Sequence, residues 1–220
     1  MQSKKLTIVA LFLLANILGF TALAHAGTVV MNFNSEIDQD DDPPAGPPPW
    51  VIATFTDNGT DSVLLTIQAT VKVEKQSVKR IWFNTASDIN ADNLTIVQRE
   101  GGPTATFAGA QQDGFGGTGI RNFDVKFKWN ELAFGMNDVV QFDITGSGLT
   151  ADSFAVLNND STYQFFAIAK IGGVDDADNE HGGEDHDELI APTGIPLPTS
   201  LLLGVIGLLT MPIFMLRMKH

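Results

Sequence analysis

The residues with the most distinctive chemistry form an acidic, glycine-containing stretch from Asp175 to Glu188. Carboxylates at positions one, three, five and twelve of such a stretch have the spacing with which a loop binds calcium. Position six, where calcium loops need glycine, is His181, and position twelve is Asp rather than the usual bidentate Glu. The match to a calcium site is therefore partial, and its candidate ligands are Asp176, Asp178, Glu180 and Asp187.

Two other interpretations fit the same stretch. His181 and His186 could help to hold a transition metal, because imidazole is a common ligand of such ions. Alternatively, a run of like charges with few apolar residues is typical of a solvated spacer. We favour an acidic spacer over residues 175–194, which predicts no cofactor and leaves calcium as the alternative.

Nucleophilic catalysis has little support in the sequence. There is no cysteine, and beyond residue 26 the histidines are His181, His186 and the terminal His220. Gly146-Ser147-Gly148 lacks the Gly-x-Ser-x-Gly spacing of a nucleophile elbow. The many acidic residues are compatible with a pair of carboxylates for glycoside hydrolysis. A local sequence pattern does not give the distance between two such acids in the folded chain. The prediction is a non-enzymatic protein, with a carboxylate-based hydrolase as a less favoured alternative.

The first 26 residues have the three parts of a secretory signal peptide. Lys4 and Lys5 supply the basic start, Leu6–Leu18 is apolar, and Ala24 and Ala26 are small residues at the cleavage positions. Cleavage is predicted after Ala26. A retained N-terminal membrane helix is the alternative.

The C-terminal region contains a second apolar run, Leu201–Leu216, without a charge. Its 16 residues would span about 24 Å as a helix, slightly less than a bilayer core of about 30 Å. Arg217 and Lys219 follow it, so a single transmembrane helix with a cytoplasmic C-terminus is predicted. A buried core helix is the alternative.

The region between these termini is one strongly acidic domain by length. Residues 27–190 number 164 and contain nine Lys or Arg against 26 Asp or Glu, a net charge of −17. Such a surface repels nucleic acid and anionic lipid, and suits cations, basic partners or solubility. Without cysteine, an exported domain depends on its hydrophobic core alone.

Alternating apolar and polar residues predict a β domain. Ser62–Val73 alternates cleanly, and Asn122–Asn130 repeats the pattern. Turn residues separate these runs, which favours an antiparallel β-sandwich, jelly-roll-like, over residues 27–174. The other predicted strands are Thr28–Phe33, Val51–Thr56, Val78–Asn84, Leu94–Gln98, a run through Val140, Phe142 and Ile144, and segments near Phe154 and Phe165.

The tail resembles a known class of sorting signal. Ile195-Pro196-Leu197-Pro198-Thr199, one apolar segment and a basic end are similar to the PEP-CTERM signals, in the variant with Val-Pro-Leu-Pro-Ala. The domain also resembles ectodomains commonly found ahead of such tails. The segments that carry this resemblance are, in order, Thr56–Thr60, Ile81–Asn84, Asp113–Phe115, Phe123–Val125, Phe134-Gly135 and Ile144–Phe154. The resemblance implies a Gram-negative bacterium, an exosortase-like processing enzyme and a link to extracellular polysaccharide.

These observations predict an exported protein with four segments: a signal peptide (1–26), an ectodomain (27–174), the spacer (175–194) and a sorting signal (195–220). The expected partners are the export machinery, the exosortase-like enzyme, the inner membrane and extracellular polysaccharide, but not nucleic acid. The expected location is the inner membrane at least transiently, then the cell surface or extracellular matrix. The predicted role is structural or adhesive, and a calcium-dependent, carbohydrate-binding module is the alternative.

Overall fold

The computed structural model describes residues 27–37, 43–117, 119–174 and 186–194. Within these ranges the chain forms ten strands, so the predicted all-β antiparallel class is confirmed. They are β1 (Thr28–Glu36), β2 (Val51–Asp57), β3 (Ser62–Ala69), β4 (Ser77–Phe83), β5 (Thr95–Gln98), β6 (Phe107–Gly117), β7 (Ile120–Lys128), β8 (Val139–Thr145), β9 (Ala167–Val174) and β10 (His186–Pro192).

Several predictions fall outside the described ranges. They concern the signal peptide with Ala24 and Ala26, the sorting motif Ile195–Thr199 and the apolar run Leu201–Leu216. No helix in the described ranges is long and apolar enough to cross a bilayer.

All ten strands belong to one sheet, in the order β5-β8-β3-β2-β1-β10-β9-β4-β7-β6. The sheet curls so far that its two edge strands, β5 and β6, lie beside each other in a nearly closed barrel. Side chains bridge the seam. The Gln98 carboxamide accepts from Ala105 N at 2.9 Å, and Asp92 Oδ1 accepts from Gln112 N at 3.0 Å. These bonds protect edges that would otherwise present unpaired backbone groups.

The core lies between the two halves of the curled sheet. Val63, Leu65 and Ile67 of β3 all point inward and are fully buried, as their alternation predicts. Aromatic rings join the halves: Phe55 of β2 meets Phe83 of β4 with ring centroids 5.0 Å apart. Such edge-to-face pairs add stabilisation beyond the area that they bury.

Three predicted strand positions need correction. The segment near Phe154 is a 3₁₀ turn, Ala151–Phe154. The strand expected near Phe165 begins at Ala167. β3 ends at Ala69 rather than Val73, and Ala69 is the last of its residues that pairs with β2.

The predicted spacer is wrong in its last part. β10 lies inside the sheet between β9 and β1, with Ile190 opposite both Ala169 and Glu36. Ile190 is fully buried and Ala191 is 3% exposed. The acids at the start of this strand favoured a spacer, but the short apolar run that follows them completes the core. The domain therefore extends to Pro192, and residues 175–185 lie outside the described ranges.

Candidate anion-binding surface

A row of cations crosses the outer face of three neighbouring strands. Arg80 of β4 is in register with Lys170 of β9 on one side and Lys128 of β7 on the other. Directly opposite residues share a face of the sheet, and neighbouring strands lie about 4.8 Å apart. The row continues to Phe107 of the edge strand β6, which pairs with Lys128. We call Lys79, Arg80, Lys126, Lys128 and Lys170 the cationic surface.

A β-bulge in β4 explains why two consecutive cations belong to this surface. The register between β4 and β9 shifts between Val78 and Arg80, so one extra residue is inserted there. Val78 and Ile81 both face the core and are fully buried. Lys79 and Arg80 lie between them and are both partly exposed. Strict alternation would have placed Lys79 on the same face as Ile81.

Asp187 of β10 neutralises part of the surface. Its Oδ1 lies 2.7 Å from Lys79 Nζ, and its Oδ2 lies 2.8 Å from Lys170 Nζ. Glu131 Oε1 lies 2.9 Å from the same Lys79 ammonium. Gly172 allows the Lys79 side chain to reach Asp187, because a Cβ at position 172 would lie 2.0 Å from Lys79 Cε. The Lys79 side chain thus crosses β9 over a glycine.

These contacts shift both partners toward their charged forms. Burial alone would lower the pKa of Lys79, but hydrogen bonds to Asp187 and Glu131 outweigh it, so this pKa is raised. Burial alone would raise the pKa of Asp187, but its bonds to Lys170 and Lys79 outweigh it, so this pKa is lowered. The Asp187 carboxylate is therefore ionised and already bonded to two ammonium groups.

Three cations of the surface have no such partner. Among the described residues, no carboxylate lies within ion-pair distance of Arg80, Lys126 or Lys128. Burial, and then the charges of Arg80 and Lys128, lower the pKa of Lys126. Lys126 Nζ lies 5.7 Å from the ring centroids of both Phe107 and Phe115. Its charge is thus offset by two ring faces rather than by an acid.

A groove of about 260 Å³ opens along the row. Four of its eight lining residues are basic, Lys79, Arg80, Lys128 and Lys170, and Trp129, Asn130, Glu131 and Asp187 complete the walls. Positive charge, donor groups and an open shape can bind an anion, and both carboxylates in the lining are bonded to lysines. The chemistry that this surface supports is recognition.

Of the four predicted calcium ligands, Asp187 alone lies in the described ranges. Asp176, Asp178 and Glu180 lie outside the described ranges, and Asp187 forms the ion pairs just given. His181 also lies outside them, while His186 is the first residue of β10. The part of the chain that the structure describes has no group of three or more acids or histidines able to hold a metal. Calcium binding stays a prediction.

A second polar groove of about 530 Å³ contains the pair of acids Asp113 and Asp124. Burial, and then the charge of Asp124, raise the pKa of Asp113. Asp124 is 4% exposed, and its oxygens accept from Thr85 N and Oγ1 at 2.8 and 2.9 Å. They also accept from Asp113 N at 2.8 Å and Gln112 Nε2 at 3.2 Å. Asp124 thus accepts four hydrogen bonds. They hold the irregular part of β6, where its register shifts between Ala110 and Phe115, against the residues that follow β4.

The N-terminal end of the described chain is held by another acid. Asp57 Oδ2 accepts from Gly27 N at 2.7 Å, and Oδ1 accepts from Ala151 N at 2.6 Å. Asp57 N donates in return to Gly27 O at 3.0 Å. A Cβ on residue 27 would lie 2.8 Å from Asp57 Oδ2, so a larger residue there would displace this carboxylate. Asp57 thus ties the first residue of the domain to the 3₁₀ turn at Ala151.

The sequence analysis did not predict the cationic surface, because the net charge of −17 indicated an acidic surface. Five of the nine basic residues at positions 27–190 share one face, although they come from three separate strands. The run Lys126-Phe127-Lys128 was a local signal, since alternation places both lysines outside. In comparisons with known proteins, no family model and no curated protein matches this chain.

Proposed function

We propose that this chain is an exported protein with a structural or adhesive role at the cell surface or in the extracellular matrix. In this proposal residues 1–26 are removed during export, Leu201–Leu216 holds the chain at the inner membrane, and an exosortase-like enzyme acts at Ile195–Thr199. The role is linked to extracellular polysaccharide. The domain that is delivered is a jelly-roll-like sandwich, which the face-to-face packing of the two sheet halves supports.

The observation that carries the proposal is the contact between Gly27 and Asp57. Cleavage after Ala26 would convert the amide of Gly27 into an α-ammonium group, 2.7 Å from a carboxylate. The bond to the carboxylate is already charge-assisted, and an α-ammonium group would add attraction between two opposite charges. The carboxylate thus stands where a new N-terminus at Gly27 would need it, which supports the expected start of the mature chain.

The distance from the last strand to the sorting motif is short. β10 ends at Pro192 and the motif begins at Ile195. Thr193 N and Oγ1 donate to Asn34 Oδ1 at 2.9 and 2.7 Å, which holds the chain against β1 up to that point. An enzyme acting on the motif would therefore work close to the folded domain, and a long spacer is not part of this proposal.

The intact mass of the protein recovered from its native host tests the proposal. A species that starts at Gly27 and ends between Pro196 and Thr199 is expected. A species that keeps residues 1–26 would overturn export by this signal. A species that starts at Gly27 but keeps Leu201–His220 would overturn sorting and leave a membrane-anchored envelope protein.

A further inference from the structure

We infer that the cationic surface is a binding site for an acidic polysaccharide, a linear polymer with about one carboxylate per sugar. The inference rests on the proposed function, because such a polymer lies outside the cell. It adds the ligand class and the residues that would contact it. Arg80 and Lys128 would pair with carboxylates, Lys170 would add a donor beside its bond to Asp187, and the exposed ring of Phe107 would contact a sugar ring.

The distribution of charge is the first argument. The domain has a net charge of −17, yet five of its cations lie on one face, and no acid among the described residues forms an ion pair with Arg80, Lys126 or Lys128. Like charges this close repel each other, and a scattered arrangement would avoid that cost. A bound anion would relieve the repulsion and draw charge-assisted hydrogen bonds from a row that is already in register.

The shape of the surface is the second argument. Lys170, Arg80 and Lys128 form a line about 10 Å long across the strands, with about 4.8 Å between neighbours. All three cations line one groove, so a segment of an anionic polymer that lies in this groove would meet them together. Duplex DNA carries one charge per about 1.7 Å, which is much denser than the row, and the surrounding acids would repel it.

Phe107 is the third argument. Its side chain is 42% exposed at the end of the row, and it stacks edge-on against Phe115 with centroids 5.7 Å apart. The ring leans over Gly109, where a Cβ would lie 2.8 Å from Phe107 Cζ. An exposed aromatic face beside cations suits a ligand that is both apolar and anionic, such as the C–H face of a sugar acid. A free phosphate would gain nothing from the ring.

Binding of the full chain in a neutral, sugar-free detergent tests this site. The probe is polygalacturonate, with dextran as the uncharged polymer, inorganic phosphate as the small anion and duplex DNA as the competing polyanion. We expect saturable binding of polygalacturonate that weakens as salt is added, and none of dextran. The double variant R80Q/K128Q is expected to lower the affinity about tenfold, the loss of two charge-assisted contacts.

Matched variants separate this site from a general charge effect. K72Q/R121Q removes the same charge elsewhere, and both of its residues are exposed. It should change the affinity less than twofold. Phe107→Ala should weaken the binding of polygalacturonate several-fold without changing the response to phosphate.

Three results would overturn the inference: no binding of polygalacturonate, equal losses from the two double variants, or tighter binding of DNA or phosphate. Because these measurements use purified protein, they do not depend on export. Binding at this site with a failed mass test would overturn the proposed export alone. A correct mass without binding would overturn the site alone.

Discussion

The ammonium group of Lys79 lies 2.7 Å from the carboxylate of Asp187, which joins β4 to β10 across 108 residues of sequence. Asp187 bonds Lys170 of β9 at the same time. One acid thus connects the side chains of three neighbouring strands on the outer face of the sheet. Asp187 was also a candidate calcium ligand. Its partners in the structure are the ammonium groups of Lys79 and Lys170.

Replacing Asp187 should produce a loss of stability that depends on pH. The pKa of Asp187 is lowered by folding, so its contribution is present above its ordinary pKa and is lost as the pH falls through the folded pKa. Asp187→Asn should lower the free energy of unfolding by about 1 kcal/mol near neutral pH. Urea denaturation between about pH 3 and pH 8 measures this difference, which should shrink below about pH 4.

Asp88→Asn is the control for this experiment, because Asp88 is exposed and no charged partner lies near it among the described residues. It should leave the free energy of unfolding within about 0.5 kcal/mol. A pH-independent effect of Asp187→Asn would contradict the ion-pair explanation.

Two adjacent glycines should respond differently to alanine. A Cβ on Gly172 would meet the flexible end of Lys79, so Gly172→Ala should mainly displace that side chain and return the pKa of Lys79 toward its ordinary value. Gly173 has a φ of +76°, and a Cβ there would lie 2.0 Å from the carbonyl oxygen of Lys75. Gly173→Ala should cost about 1–3 kcal/mol, since backbone must move. NMR titration of lysine side chains and thermal unfolding distinguish the two effects, and equal destabilisation would contradict this account.

Phe55 should be one of the most sensitive core positions. Its ring stacks on Phe154 at 4.1 Å and meets Phe83 edge-on at 5.0 Å, so it joins the 3₁₀ turn, β2 and β4. Phe55→Ala should lower the free energy of unfolding by about 3–5 kcal/mol. Val97→Ala, at a position that is 56% exposed, should change it by less than about 0.5 kcal/mol. Chemical denaturation of both variants tests this, and similar effects would refute the packing argument.

Asp124 should be intolerant even of its amide isostere. Both carboxylate oxygens face donors, so the amide of Asp124→Asn must direct an N–H at another N–H or O–H. A loss of about 1–3 kcal/mol is expected from the unsatisfied donors. Thr85→Val removes one donor and should cost less. An Asp124→Asn variant as stable as the wild type would contradict this structural role.

The bond between Gly27 and Asp57 can be measured with a double-mutant cycle. One axis is a chain that starts at Gly27 or retains Ala26, and the other is Asp57 or Asp57→Asn. If the α-ammonium group pairs with the carboxylate, the retained residue should cost about 1 kcal/mol with Asp57 and much less with Asn. Thermal unfolding of the four chains gives the coupling energy, and a value near zero would remove the support that this contact lends to the proposed start.

Much of the sheet follows from local pattern. The alternation in Ser62–Ala69 is long enough that a shift of one residue would turn Val63 and Leu65 toward solvent, so the buried face was predictable. β10 was not, because its seven residues, which include two acids and a proline, carry little periodicity, and pairing with β1 and β9 stabilises them as a strand. β6 was missed for a similar reason, since its glycines and glutamines have weak β propensity.

The sequence by itself determined the antiparallel β class, the inward side chains of the regular strands and the excess of acid. Those properties depend on residues that are neighbours in the chain, with a period of two. Only the tertiary structure decided that Lys79, Arg80, Lys126, Lys128 and Lys170 share one surface. A bulge rotates Lys79 outward, and β-sheet register places Lys170 and Lys128 beside Arg80 from positions 90 and 48 residues away. Register is set by packing of the whole core, so no local pattern encodes that surface.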